Sequence, residues 1–309
     1  MPSIESKKRG NTTYSYLIVQ VRVANMYKKL QVYLGKHIPK DLSPYYERLK
    51  RKELTLFADL VREQVVYGAR IDVATARNIE STRIRYKYLQ VRQGERERER
   101  FWWAFATRFI FESNAIEGSR LSQQEVARIV RGGYIPKALD RREVREVENA
   151  IRAFAHVRES NFRINQRSVK ELHAMLTEGL HIPSGYKRHA IVVNNTHTTP
   201  PEKVRQEMTA LLAWWRAEMH TTQQPFFTAV KFHQRFEKIH PFEDGNGRVG
   251  RLLLNWMLFE AGYGPILILA RSRRGYFAAL KAADEGRATK LFHMMASTYK
   301  RTLRVLDTT

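Results

Sequence analysis

Residues 240–251 read His240-Pro241-Phe242-Glu243-Asp244-Gly245-Asn246-Gly247-Arg248-Val249-Gly250-Arg251, and the fold is read outward from them. Gly245 and Gly247 flank Asn246. Glycine admits positive φ, so backbone N–H groups here can approach a ligand closely. Apolar periodicity resumes at Leu252, Leu253 and Trp256, which predicts a helix beginning just after the loop. A glycine loop feeding a helix N-terminus is an anion site. Arg248 and Arg251 lie three apart and are expected to project from one face of the first turn. Two guanidiniums there suit a polyphosphate. Asp244 supplies a carboxylate of the kind a Mg²⁺ site needs. His240 stands at the other end of the loop, and an ordinary imidazole pKa near 6.5 suits a general base. The Gly-Lys-Ser/Thr ending of a Walker loop is absent. Taken singly, each residue also fits a loop with a buried histidine and surface arginines. The whole set at fixed spacing does not.

This stretch resembles the Fic (Fic/Doc) signature, His-x-Phe-x-Asp/Glu-Gly-Asn-Gly-Arg-x-x-Arg, at every fixed position. The resemblance implies a mainly α fold, a helical core with a small β-hairpin flap. It also implies a protein adenylyltransferase that moves AMP from ATP to a Ser, Thr or Tyr hydroxyl and releases pyrophosphate. His240 would deprotonate the hydroxyl, and Asp244 would hold Mg²⁺ against the phosphates. Gly245, Asn246 and Gly247 would form the anion hole, with Arg248 and Arg251 on the phosphates and Phe242 anchoring the loop. Gly247 stands where the kinase-like Doc toxins carry Lys. Leu172-His173 and Gly185-Tyr186-Lys187-Arg188 look like the approach to the flap, which falls on residues 188–195. Arg188, Ile191, Val192 and Val193 would then pair with a target segment by β-addition. The flap glycine is replaced by Asn194 or Asn195. Tyr276 reads equally as an adenine or ribose neighbour and as core packing.

Ser113-Asn114-Ala115-Ile116-Glu117-Gly118 fits the family's inhibitory pattern Ser/Thr-x-x-x-Glu-Gly/Asn. By itself it is equally a helix end stopped by Gly118. With the Fic loop, it implies that Glu117 pairs with Arg251 and withdraws it from the nucleotide. Some relatives also use this glutamate to orient a water that removes AMP, so AMP removal, or transfer of another nucleotide by the same site, stands as an alternative. Relatives with such a helix often dimerise.

The likeness covers residues 101–305, and the chain divides into a basic region over 1–95 and a Fic domain over 96–309. Across 309 residues, 54 Lys and Arg face 31 Asp and Glu, a net charge of +23. Residues 1–100 hold 22 basic against 11 acidic side chains, or +11. Two readings compete for that excess: a nucleic-acid contact surface, or the solvated surface of a basic protein. The absence of cysteine excludes disulfides, thiolate nucleophiles and Cys-ligated metal. No apolar run is long enough to span a bilayer and no apolar leader opens the chain, so a cytoplasmic protein without a membrane role is expected.

In the first region residues 13–23 read as a strand and Leu30–Leu34 as a second, with a turn over Ala24–Tyr27 and an open edge that needs a cover. Helical periodicity runs from Tyr45 to about Gln90. The run Glu95–Arg100 reads as a solvated helix face. Further helices are expected from Ser122, from Asp140, over Asn165–Leu180, from Pro200, over Thr222–Ile239, over Tyr276–Ala283 and over Thr289–Leu306.

Overall fold

The structure, a computed structural model, describes residues 1–23, 26–62, 71–133, 136, 138–159, 161–193, 196–221 and 224–307. Among these the fold is mainly α, with eleven α-helices, one three-stranded sheet and one two-stranded sheet. The chain forms two compact units. One is Met1–Arg100 with Gly262–Gly264, and the other is Phe101–Ala261 with Pro265–Thr309.

The first unit opens with an antiparallel meander of β1 (Ser3–Arg9), β2 (Thr12–Val23) and β3 (Met26–Gly35). Alternation along β2 sends Leu17, Val19 and Val21 to one face, where Val32 and Leu34 of β3 join them. That face packs on Leu49, Phe57 and Leu60 of α1 (Ser43–Arg62) and on Ile84 and Tyr88 of α2 (Val73–Arg92). Glu53 is buried in this core, ion-paired to Lys87 and accepting from Tyr88 Oη at 3.1 Å. β1 supplies the cover that the edge of β2 needed. It escaped sequence reading because it is exposed or half-exposed along its whole length and shows no apolar stripe. Ala24 and Asn25 of the expected turn lie outside the described residues. The long helical stretch is two helices. Asp72 starts the second by accepting from Thr75 N at 2.8 Å, and residues 63–70 lie outside the described residues.

α3 (Glu95–Glu117), whose part from Phe101 on belongs to the second unit, ends where Gly118 takes φ 108°, with Ser119 N donating to Asn114 O at 3.0 Å. The capping box of Ser122 and Glu125 opens α4 (Gln123–Val130). Helices α5 (Arg141–Glu159) and α6 (Gln166–Thr177) follow, the latter capped by Asn165. Then come β4 (Val192–Val193), β5 (Thr196–His197) and α7 (Pro201–Thr221). The centre is α8 (Pro225–Ile239) against α9 (Asn246–Glu260). Twelve residues of α9 are buried, so this helix is the axis of the unit and its N-terminus is held fixed from every side. The chain closes with α10 (Arg273–Asp284) and α11 (Thr289–Asp307). No helix among the described residues is long and apolar enough to cross a membrane.

Candidate active site

The loop between α8 and α9 is shaped by its own side chains. Phe242 is fully buried and stacks on His173 of α6, ring centroids 3.8 Å apart and planes within 8°. His173 donates Nε2–H to the Asp244 carbonyl at 3.0 Å. Burial pushes the His173 pKa down to about 4, so the ring is neutral. Asn246 accepts from Phe242 N at 2.9 Å and donates Nδ2–H to Phe242 O at 2.8 Å. Its side chain is thus fully committed to the loop backbone, and only its N–H remains for the anion role expected of it. Gly245 caps α9 at φ 80° and no side chain caps the helix, so the first-turn N–H groups face outward with the positive end of the dipole.

His240 caps α8 in the left-handed region at φ 50°, which turns its ring away from the helix. It lines a cavity of about 330 Å³ together with Glu237, Val193, Thr198, Arg273 and Phe277. Burial, reinforced by the positive charge of Lys187, pushes the His240 pKa down to about 4, so a neutral imidazole meets the cavity. Its Nδ1 is buried without a hydrogen-bond partner.

Tyr276 is not on that wall. It is fully buried and bonds its hydroxyl to His233 Nε2 at 2.6 Å. The structure places Tyr276 in the core, and the neighbouring Phe277 is the ring that meets the cavity.

The two arginines reach toward different helices in this structure. Arg248 is buried and reaches Glu146 of α5 at 3.2 Å, with Asp244 at 3.8 Å and its Nε unpartnered. Arg251 turns to α3, donating Nε–H to Ser113 Oγ at 2.9 Å and Nη2–H to Ser113 O at 3.0 Å and Glu117 Oε1 at 2.7 Å. A buried guanidinium needs a carboxylate, and each takes the one its neighbouring helix offers. The Glu117 carboxylate lies directly over Gly247, where an added β-carbon would stand 2.1 Å from Oε1. Arg273 Nε also donates to Ile116 O at 2.7 Å, so the end of α3 that Gly118 terminates is tied from two helices.

Asp244 is 53% exposed and close to Arg248 and Arg142. No group of three His, Asp or Glu side chains among the described residues could cage a metal. One open carboxylate beside an anion site is nonetheless the donor set that suits a Mg²⁺ carried mainly by phosphate oxygens and water.

β4 and β5 pair Val192 with His197 and Val193 with Thr196. Val192 is 54% exposed, and Ile191 O accepts from Thr198. Asn194 and Asn195 lie outside the described residues. Glu243 holds the Arg188 N–H at 2.7 Å. Sequence reading missed Lys187, which donates its backbone N–H to Pro241 O at 2.8 Å and its ammonium to Thr198 Oγ1 at 2.6 Å and Ile239 O at 3.2 Å. It also missed Glu146 and Glu237. None of these carries a local signal, because each is defined by its partner across the fold.

The family model described as "Fic/DOC family" matches residues 163–258. Residues 163–258 are thus similar to the Fic/DOC family. The chain is 28% identical over 200 residues to a protein adenylyltransferase Fic of Nematostella vectensis, across 63% of this chain and 47% of the relative. It spans less than half the length of the curated relatives it first matches. A Fic domain containing signaling protein of Bacteroides thetaiotaomicron has the same fold, with TM-score 0.68 and 22% identity over 74% of this chain and 95% of that one. A Fic family protein of Desulfovibrio desulfuricans matches with TM-score 0.65 and 25% identity, over 76% of this chain and 74% of that one.

Proposed function

We propose that this Fic domain transfers AMP from ATP to a hydroxyl side chain of a protein target and that Glu117 restrains it. The observation that carries the reading is the ion pair of Glu117 with Arg251 over the first turn of α9, next to a cavity walled by neutral His240. In the reaction His240 takes the proton of the target hydroxyl, whose oxygen bonds to the α-phosphorus. The bond from that phosphorus to the bridging oxygen breaks and pyrophosphate leaves. The first-turn N–H groups, Arg248 and a freed Arg251 meet the phosphate charge. A Mg²⁺ on the phosphates, held by Asp244, would supply charge neutralisation. Val192 and Val193 would align the target segment by main-chain pairing.

Restraint follows from charge and space. The Glu117 carboxylate stands where the terminal phosphate would reach Arg251, so ATP meets a negative group and loses a guanidinium. With α-labelled ATP and Mg²⁺, Glu117→Gly is expected to raise label on protein at least about tenfold, the scale of one charge-assisted contact. Equal labelling by Glu117→Gly and the parent would refute restraint. His240→Ala is expected to abolish the label and leave the circular dichroism spectrum unchanged. Persisting label would remove His240 from its role. AMP removal by the same site is the second reading, favoured by Glu117 keeping its side chain 34% exposed beside the cavity loop. Release of AMP from a pre-labelled target by the parent and not by Glu117→Gly would mark it.

A further inference from the structure

The outer face of the N-terminal sheet has no part in the transfer site. Register places Lys7 against Tyr14, and Glu5 against Tyr16 against Tyr33. Further along, Gln20 opposes Lys29 and Arg22 opposes Tyr27. All these lie on the face opposite the Leu17, Val19 and Val21 core. The rings form a connected platform, with Tyr33 centred 5.4 Å from Tyr16 and 6.2 Å from Tyr14. The ammonium of Lys7 stands 5.3 Å from the Tyr16 ring. Tyr33 is 47% and Tyr27 70% exposed. Ile18, on the same face, is buried. Residues 1–40 hold eight Lys and Arg against the single acid Glu5, which lies on this face and is ion-paired to both Lys7 and Lys29, leaving the face with a net positive charge.

We propose that this face binds single-stranded nucleic acid. Aromatic rings displayed on a sheet surface, here tilted 44–50° to one another, stack unpaired bases, and cations around them track the phosphates. Cross-strand tyrosines alone would serve sheet stability. An exposed Tyr27 at the far end and a near-absence of acids are not needed for that and favour a polyanion with π-faces. A duplex hides its bases from such a platform, so the ligand is a single strand. A protein surface or an anionic membrane would satisfy the lysines and not the rings.

The test uses the full chain and fluorescently labelled twelve-nucleotide oligo-dT and oligo-U, with a hairpin duplex for comparison, read by anisotropy across a salt series. Saturable binding of the single strands is expected, weakening with salt at a log–log slope near −0.7 for each phosphate contacted. Tyr16→Ala/Tyr33→Ala is expected to weaken binding at least about tenfold at unchanged slope, in line with base stacking on aromatic rings. Lys7→Glu/Lys29→Glu is expected to flatten the slope, whereas Arg96→Glu/Arg98→Glu, the same charge change on the exposed start of α3, leaves it within about half a unit. Ultraviolet cross-linking of the unaltered protein keeps the test open if the tyrosine variant fails to fold, and labelled peptides should contain Tyr14, Tyr16, Tyr27 or Tyr33. No saturable binding at low salt overturns the proposal. So does duplex binding as tight as single-strand binding, or equal loss in the Arg96/Arg98 control. Because His240→Ala leaves this face untouched, failure here and failure of AMP transfer are read separately.

Discussion

At the scale of single residues, Gly247 lies beneath the Glu117–Arg251 pair. Its Cα faces the Glu117 carboxylate so closely that a methyl group has no room, with Arg251 Nη1 2.7 Å from the same point. Gly247→Ala is therefore expected to lower stability by roughly 1–3 kcal/mol, the usual cost of overpacking. In a Glu117→Gly background more than half of that penalty should vanish. A double-mutant cycle on urea unfolding midpoints measures it, and additive effects would refute direct contact. The same geometry explains which site residues sequence could find. His240, Asp244, Gly245, Gly247 and Glu117 announce themselves because their chemistry is local to a short motif. The pairing of Arg251 with Glu117 was legible through the motif at 113–118, whereas where Arg248 points was not. A three-residue spacing states that two side chains leave one helix on the same side, and says nothing about Glu146, which arrives from a helix distant in sequence. Tyr276 shows the same limit, since only the fold reveals that His233 claims its hydroxyl.

At the scale of elements, amphipathic helices and the β2 strand were legible because each buries one stripe and exposes the other. β1 was not, since an exposed strand is defined by its neighbour's hydrogen bonds and not by its own apolar pattern. The break between α1 and α2 was hidden because apolar spacing continues on both sides of it, and the cap at Asp72 is a single residue. The β4–β5 hairpin has only two ladder pairs, so the docking role proposed for it can be tested apart from the rest. Val193→Pro removes a main-chain donor from it. That change is expected to cut labelling of a protein target about tenfold or more, as loss of strand addition should. ATP affinity by calorimetry should stay within about twofold, because the anion site belongs to α9. A parallel loss of ATP affinity would show that the hairpin builds the nucleotide site.

At the scale of the whole molecule, buried titratable groups pull stability in opposite directions. His173 and His240 are pushed down to about 4 and His233 to about 3, in each case mainly by burial. Glu237 is pushed up to about 8 by burial, against the opposing pull of Arg251. Unfolded histidines take up protons below about 6.5, while the folded ones stay neutral until about 4, so acidification through that window favours the unfolded chain. Glu237 acts with the reverse sign. Folded, it keeps a proton that the unfolded chain has released above about 4.5, so stability falls as pH rises towards 8. Three histidines outweigh Glu237 below 6.5, even with Glu146 and Asp284 also pushed up by burial, and above it Glu237 dominates until Lys187, pushed down to about 8 by burial, opposes it. Urea midpoints are therefore expected to peak near pH 6.5 and to fall on both sides. Glu237→Gln should flatten the limb from 6.5 to 8 and leave the acid limb in place. An unchanged alkaline limb would assign it to other groups.

His240 holds a left-handed backbone that glycine adopts at no steric cost and that asparagine, aspartate and histidine adopt more readily than other side chains, as His181 also does here. The group proposed to do the chemistry is thus a worse choice than glycine for the backbone at its own position. Selection for heat resistance alone would drift towards glycine at residue 240 and yield hardier, inert proteins. Histidine persists there only while its reactivity is under selection, so the identity of this one residue in any variant reports whether catalysis still matters to the organism that carries it.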